Sequence, residues 1–492
     1  MKKSFLISLS ALLLLCSCGK SDKEKTYVFD STKEATYTVA NEYPVTARQV
    51  QAGVQWRSMT PAGNPQLLVI PVDFPDYRCN ILPKGCEGTR NDIQAVYFGT
   101  EADTVLEGST DTDGWESVKS YYYESSYGKM EIGGVVTPWF TYSSNVDGMT
   151  GSGASRGVLI EAVDWYKQYC IDNGLPFDFD DDNDGFIDNV QLIYAPDARH
   201  NGLDDLWWAY TSSLVGNMAN FESPNPYNYV FASQSFMYHD TNYIDAHTYI
   251  HEMGHVLGLW DYYNTSDNPA YQKVKAAGGV DMMDQNVGDH NSYSKFALQW
   301  VAPKVVTGEG SITIKPFTTS GDAIIVSPGW NGTAFDEYLI IEYHRPIGLN
   351  KQDSERRYTG SYYPFVMSDN GIKVYHIDSR MAYVDALSRS FIEYTTTFKQ
   401  DARNTTIIAH SNTPSNQEDD YRLIHLLEAT GKNSFFEGKT ATNETLFKQG
   451  ATFGAQKGFF KGFKFHSGLD LPFVFEITSI TDEEAVITFA KK

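Results

Sequence analysis

The stretch Ile250–Asp261, reading I-H-E-M-G-H-V-L-G-L-W-D, limits what this chain can fold into more than any other. His251 and His255 stand four residues apart, so on a helix their side chains share one face. Both imidazoles can then reach one ion at about 2.0–2.1 Å, the length of a zinc–nitrogen bond. Glu252 points beside that ion, where it can take a proton from water. Asp245 is placed to cap the helix, whose body is expected over 246–257. Gly258 tolerates positive φ, which would end the helix and turn the chain back toward the ion. Asp261, six residues past His255, then falls where a third ligand is needed. Downstream, Asp281-Met282-Met283-Asp284 can form a methionine turn, an apolar floor beneath the metal. Asp281 or Asp284 would replace Asp261 as ligand if the turn after Gly258 ran elsewhere. The five-residue H-E-x-x-H core also arises by chance, and it is the cap, the reversal and the turn that make it a zinc site. His247 lies on the same face, but from His247 to His255 is two turns, about 11 Å, too far for three rings to meet one ion.

At 492 residues the chain is longer than one hydrophobic core usually serves. Aromatic residues make up 14%, with 32 Tyr and 28 Phe, a composition rich in strand formers. The formal charge of −23 repels nucleic acid and anionic membranes and suits cation binding. No nucleic-acid partner is expected, and a monomer is.

The first 18 residues read as an address. Lys2 and Lys3 precede an apolar run from Phe5 to Leu15, of secretory-signal length and too short to span a bilayer. The run ends Leu15-Cys16-Ser17-Cys18, which resembles a lipobox with Cys18 as the acylated residue. The expected location is the bacterial cell envelope, at the outer membrane or cell surface, with the membrane touched only through this lipid. Cys79 and Cys86 bracket a short loop and can close a local disulfide in an oxidising compartment, while Cys170 reads as a buried free thiol.

Residues 19–65 are polar and mixed, a linker or short pro-segment. Gln66–Phe74 is a continuous apolar, β-rich run and predicts a buried strand. Helices are expected over 117–128 and 157–173, and strands over 130–136, 190–195 and 229–237. The strand at 229–237 lies close before the zinc helix, where an edge strand would pair with extended substrate. A second chemical signature is the loop Asp180–Asp188: Asp180, Asp182 and Asp184 alternate around a turn at Gly185, and Asp188 adds a fourth carboxylate. So many acids in one loop repel unless a cation neutralises them, which points to structural calcium. Gln191 stands where an EF-hand would place its bidentate Glu, so the loop is of another kind. After Trp300 short strands dominate, at 311–314, 323–327, 337–343, 371–377 and 473–489, and suggest a sandwich-like C-terminal domain.

These blocks together resemble the immune inhibitor A type of secreted bacterial zinc metallopeptidases. The similarity lies in Val69–Asp76, Ser117–Lys129, the Asp180–Asp188 loop, His251–Tyr263, Asp281–Asp284, His290–Lys295 with Trp300, Tyr338–Tyr343 and Gly371–Asp378, or roughly residues 66–450. The resemblance implies an α+β fold: a zincin-type catalytic domain over 66–305 and a β-rich domain over 306–492. It implies His251, His255 and Asp261 as zinc ligands and Glu252 as general base. A donor to the transition state is expected from Tyr293 or His290. The stretch Leu206-Trp207-Trp208-Ala209-Tyr210 lacks a histidine that such proteins often carry, and no inhibitory pro-segment is evident. The expected substrate is a protein or peptide. Two rival readings are a surface lipoprotein that keeps the fold only for binding, and a zinc hydrolase of glycopeptide or cell-wall amide bonds.

Overall fold

The computed structural model describes residues 26–40, 59–105, 115–151, 153–203, 206–214, 223–238, 243–265, 274–355, 366–384, 391–394, 404–407, 422–455, 460 and 462–492. Cys18 lies outside them.

Tyr37–Val39 forms strand β1 and Gln66–Asp73 strand β2. The chain continues through helix α1 (Gly85–Phe98), helix α2 (Val118–Ser125), strands β3 (Gly133–Val136) and β4 (Phe140–Thr141), and helix α3 (Ala154–Asn173). Strands β5 (Asn189–Tyr194), β6 (Tyr210–Ser213) and β7 (Asn228–Ser233) lead to helix α4 (His247–Val256), and Ser292–Ala297 forms α5. The strands make one sheet in the order β3-β2-β5-β7-β6, with β4 also on β2. β2, β3, β5 and β7 run parallel and β6 runs antiparallel to β7. Leu68, Ile70, Val72 and Leu192 pack with Val158, Leu159 and Val163 of α3. Leu67, Val69, Ile193 and Val230 pack on the other face with α1, α2 and α4. Burial on both faces is why β2 reads as an unbroken apolar run.

One sequence expectation changes here. The strand expected at 229–237 stops at Ser233 and lies inside the sheet, followed by a 3-10 turn over Gln234–Tyr238. The edge is β6, whose four half-buried residues carry no apolar signature. Within the segment 19–65, two described stretches are paired. β1 pairs antiparallel with Lys304–Val306, and Gly63 exchanges backbone bonds with Lys129 and Glu131. The side chains of Tyr37, Thr38 and Val39 are exposed, so the pairing leaves no apolar pattern to read.

The second half begins with β8 (Lys304–Val306), β9 (Gly310–Ile314), the short helix α6 (Phe317–Ser320), β10 (Ala323–Val326) and β11 (Glu337–His344). It continues with helix α7 (Lys351–Glu355), β12 (Gly371–Asp378), β13 (Met381–Val384), β14 (Phe391–Tyr394), β15 (Asn404–Ile407) and β16 (Ile424–Leu427). β17 (Thr452–Phe453), β18 (Phe473–Ile480) and β19 (Ala485–Lys491) close the chain, so the expected strand at 473–489 is a hairpin. A six-stranded sheet β1-β8-β10-β11-β12-β16 and a four-stranded sheet β17-β18-β19-β9 share an apolar cluster containing Leu339, Ile341 and Val374 from one and Ile312, Phe475 and Ile487 from the other. β14-β13-β15 form a separate three-stranded sheet. The alternate residues Tyr338, Ile340 and Tyr375 join the cluster of Met282, Tyr293 and Trp300. Packing is therefore continuous across the boundary expected at 305/306. The architecture mixes helices and strands, consistent with the α+β class. No described helix is long and apolar enough to cross a membrane.

Candidate metal centre and peptidase site

Helix α4 buries Tyr249, Ile250, Met253 and Val256 and presents His251 and His255 on its half-buried side. It starts one residue later than expected. Ala246 occupies the cap position without a side-chain bond, and Asp245 sits just before it, where its Oδ1 accepts the His247 N–H at 2.9 Å. The helix ends as its glycine predicts. Gly258 has φ +94°, and Leu259 N–H donates to Gly254 O at 2.9 Å. That reversal brings Asp261 back over the helix.

Nε2 of His251 and Nε2 of His255 lie 3.0 and 3.2 Å from Oδ1 of Asp261. Four-coordinate zinc with bonds of 2.0–2.1 Å separates neighbouring ligand atoms by about 3.3 Å, so the three fit one ion. The opposite nitrogens are already engaged. Nδ1 of His251 lies 2.8 Å from the Met282 carbonyl and Nδ1 of His255 lies 2.8 Å from the Leu259 carbonyl. A carbonyl only accepts, so each Nδ1 carries a proton, and Nε2 is the nitrogen each ring can offer to a cation at the shared position. Burial pulls His255 down, but Asp261 overrides it and lifts the imidazole to about 9; the same contacts outweigh burial of Asp261 and hold its carboxyl far below the usual range. A cation at the shared position would take over the role those protons play.

The methionine turn lies where the sequence placed it. Tyr262 N–H donates to Met283 O at 2.7 Å, and Met283 presses so closely on the helix that a Cβ on Gly254 would stand 2.3 Å from its Sδ. Asp281 and Asp284 do not join the group of His251, His255 and Asp261. Asp281 accepts from Met283 N at 2.7 Å and from Asn291 N at 2.6 Å, and Asp284 accepts from Gly279 N at 2.8 Å. Both brace the turn itself.

Glu252 is buried, and burial raises its pKa against the pull of His255 and His251. The Thr211 hydroxyl on β6 lies 3.0 Å from its Oε2 and 2.9 Å from its backbone oxygen, so the edge strand steadies the carboxylate. Neither expected transition-state donor reaches the ligands among the described contacts. Tyr293 is buried and bonded to Ser379, and His290 is enclosed by Tyr121, Tyr122 and Trp300. The phenol at the centre is Tyr263, whose ring stacks on His251 at 6.1 Å and whose hydroxyl bonds to Asp261. Burial and then the Asp261 charge push that phenol up, so it keeps a proton to donate. The sequence signal was its position two residues after the third ligand.

In the acidic loop Asp180, Asp182 and Asp188 converge, while Asp184 does not join them: its Oδ1 accepts the Phe186 N–H at 2.9 Å. Asp188 also accepts the Gln66 N–H at 2.7 Å, tying the loop to the start of β2, and burial pushes its carboxyl up to about 7. Cys79 and Cys86 are disulfide-bonded, and Cys170 is a buried free thiol.

Residues 61–280 match the family model of the immune inhibitor A peptidase M6 catalytic domain. The match contains the whole His251–Asp261 motif and supports a metallopeptidase acting on protein or peptide. It stops at residue 280, short of the 450 to which the resemblance was expected to run. No curated protein matches the chain.

Proposed function

We propose that the protein is a zinc-dependent endopeptidase, exported and held at the bacterial cell envelope by lipid on Cys18, that hydrolyses extracellular proteins. The observation that carries the reading is the convergence of two Nε2 lone pairs and one carboxylate oxygen, with Glu252 buried beside them. Zinc held by His251, His255 and Asp261 would supply Lewis acidity at the scissile carbonyl. Glu252 accepts a proton from the attacking water and returns it to the leaving amine, the role its raised pKa suits. Thr211 keeps that carboxylate in place, and Tyr263 donates to the oxygen on which charge develops. Substrate would lie extended along β6, the sheet edge beside the helix. Asp180, Asp182 and Asp188 would hold calcium, clamping the start of β5 to β2, and residues 306–492 would form the sandwich-like accessory domain.

Casein digestion by purified protein tests this. Glu252→Gln is expected to retain zinc and lose about 10²–10⁴-fold in kcat, the usual contribution of a positioned base. Substantial digestion by the metal-loaded variant, or digestion by the wild type that survives a chelator, overturns the reading.

A further inference from the structure

The apolar layer between the two C-terminal sheets fails at one end, and it fails in three adjacent strands at once. Along β11 the residues facing that layer run Tyr343, Ile341, Leu339 and then Glu337; along β12 they run Ile372, Val374, His376 and then Asp378. On β16 Leu427 is followed two places back by His425, the register partner of His376. Glu337 pairs with Asp378 and Leu339 with His376, so the ionisable side chains share one face and one end of the sheet. The loop before β18 delivers a third imidazole, His466, whose ring centroid lies 4.5 Å from that of His376. Glu337, His376 and Asp378 are each at most 4% exposed.

Burying a carboxylate and imidazoles in an apolar layer is costly unless a partner compensates. Arg380 compensates Asp378, with contacts of 2.7 and 2.8 Å to its two oxygens, and its Nε stands 3.9 Å from Oε2 of Glu337. Glu337 also accepts the Ser467 N–H at 2.9 Å and the His466 N–H, and ligand atoms of Glu337, His376 and His466 all lie within 4.8 Å of one another. His376 Nε2 is 3.0 Å from Glu337 Oε1, the same spacing as His251 to Asp261 in the catalytic group. Asp378 Oδ2 accepts from Nδ1 of His466 at 2.9 Å, and that nitrogen stands 4.0 Å from Oε1 of Glu337. Phe463 and Phe465 pack edge-on against His376 and shield it from water.

The geometry points to a second metal site, in which Glu337, His376 and His466 bind a zinc-class transition ion that fastens the loop carrying His466 to the six-stranded sheet. Two imidazoles and one carboxylate are the donor set of zinc rather than calcium. The site stands apart from the peptidase motif and does not depend on the proposed reaction.

The test is zinc stoichiometry of the full chain after loading with zinc alone and desalting, read by mass spectrometry of the metal. His251→Ala/His255→Ala is expected to keep about one zinc per chain, and adding His466→Asn to that variant is expected to remove it. Zinc should also raise Tm of the His251→Ala/His255→Ala variant and not of the one that adds His466→Asn. His466 sits on a partly exposed loop, so its substitution spares the sheet, and kcat of the single variant should stay within about twofold of wild type. Zinc-free His251→Ala/His255→Ala protein that is folded by circular dichroism, or an unchanged zinc content after His466→Asn, overturns the proposal.

Discussion

Two groups of two histidines and a carboxylate occur among the described residues, and they are built in opposite ways. The first comes from eleven consecutive residues, His251 to Asp261, where one helix and one glycine reversal set every spacing. The second is gathered from Glu337, His376 and His466, on two paired strands and a distant loop. In the first, each ring is anchored by a backbone carbonyl belonging to its own helix end or to the adjoining methionine turn. In the second, the anchors are other ionisable side chains, Asp378 above all, with Arg380 behind it. A local site keeps its geometry as long as the helix persists. A site assembled across strands keeps it only while the sheets stay packed.

That contrast can be broken most forcefully at Gly254. A methyl group there collides with Met283, so Gly254→Ala should cost about 1–3 kcal/mol and displace the floor beneath His251. Thermal unfolding and zinc content measure it, and the helical site should suffer while zinc at Glu337, His376 and His466 stays. Equal loss from both groups would show that they are not independent.

A smaller effect is expected from Thr211→Val, which removes the hydroxyl that holds Glu252. A fall in kcat of about tenfold with KM little changed corresponds to one hydrogen bond to a charged group. Because that hydroxyl lowers the Glu252 pKa, the acidic limb of the pH–rate profile should also move to higher pH. An unchanged kcat and profile would remove Thr211 from the machinery.

The gentlest probe lies at the seam between the two regions. Asp353 on α7 is buried, faces Gly288 beyond the methionine turn, and feels Lys373 on β12. Burial, opposed by Lys373, pushes its carboxyl up to about 7 from 3.8. Between those values the folded state binds more protons than the unfolded chain, so stability should fall as pH rises through that window. The slope is at most about 1.4 kcal/mol per pH unit, and Asp353→Asn should flatten it. A slope that persists in the variant assigns the pH dependence to other groups.

Much of the first region was legible in advance because its determinants are local. The period of the helix sets the histidine pair, and positive φ at Gly258 sets the return to Asp261. The same locality explains the buried run of β2 and the bracketed disulfide. Tyr263 was missed because a phenol beside a motif looks like any other aromatic until its ring is seen on His251. The edge strand was not legible because β7 is the apolar strand and β6, which forms the edge, is not.

By itself the amino-acid order determined the helix, its glycine stop and the meeting of His251, His255 and Asp261 beside Glu252, since each follows from spacing over a few residues. Tertiary structure alone decided that β1 would complete a sheet some 270 residues away, that Thr211 would steady Glu252, and that Glu337, His376 and His466 would meet. Those meetings depend on strand register and on how two sheets pack, and neither leaves a periodic trace in the segments that take part.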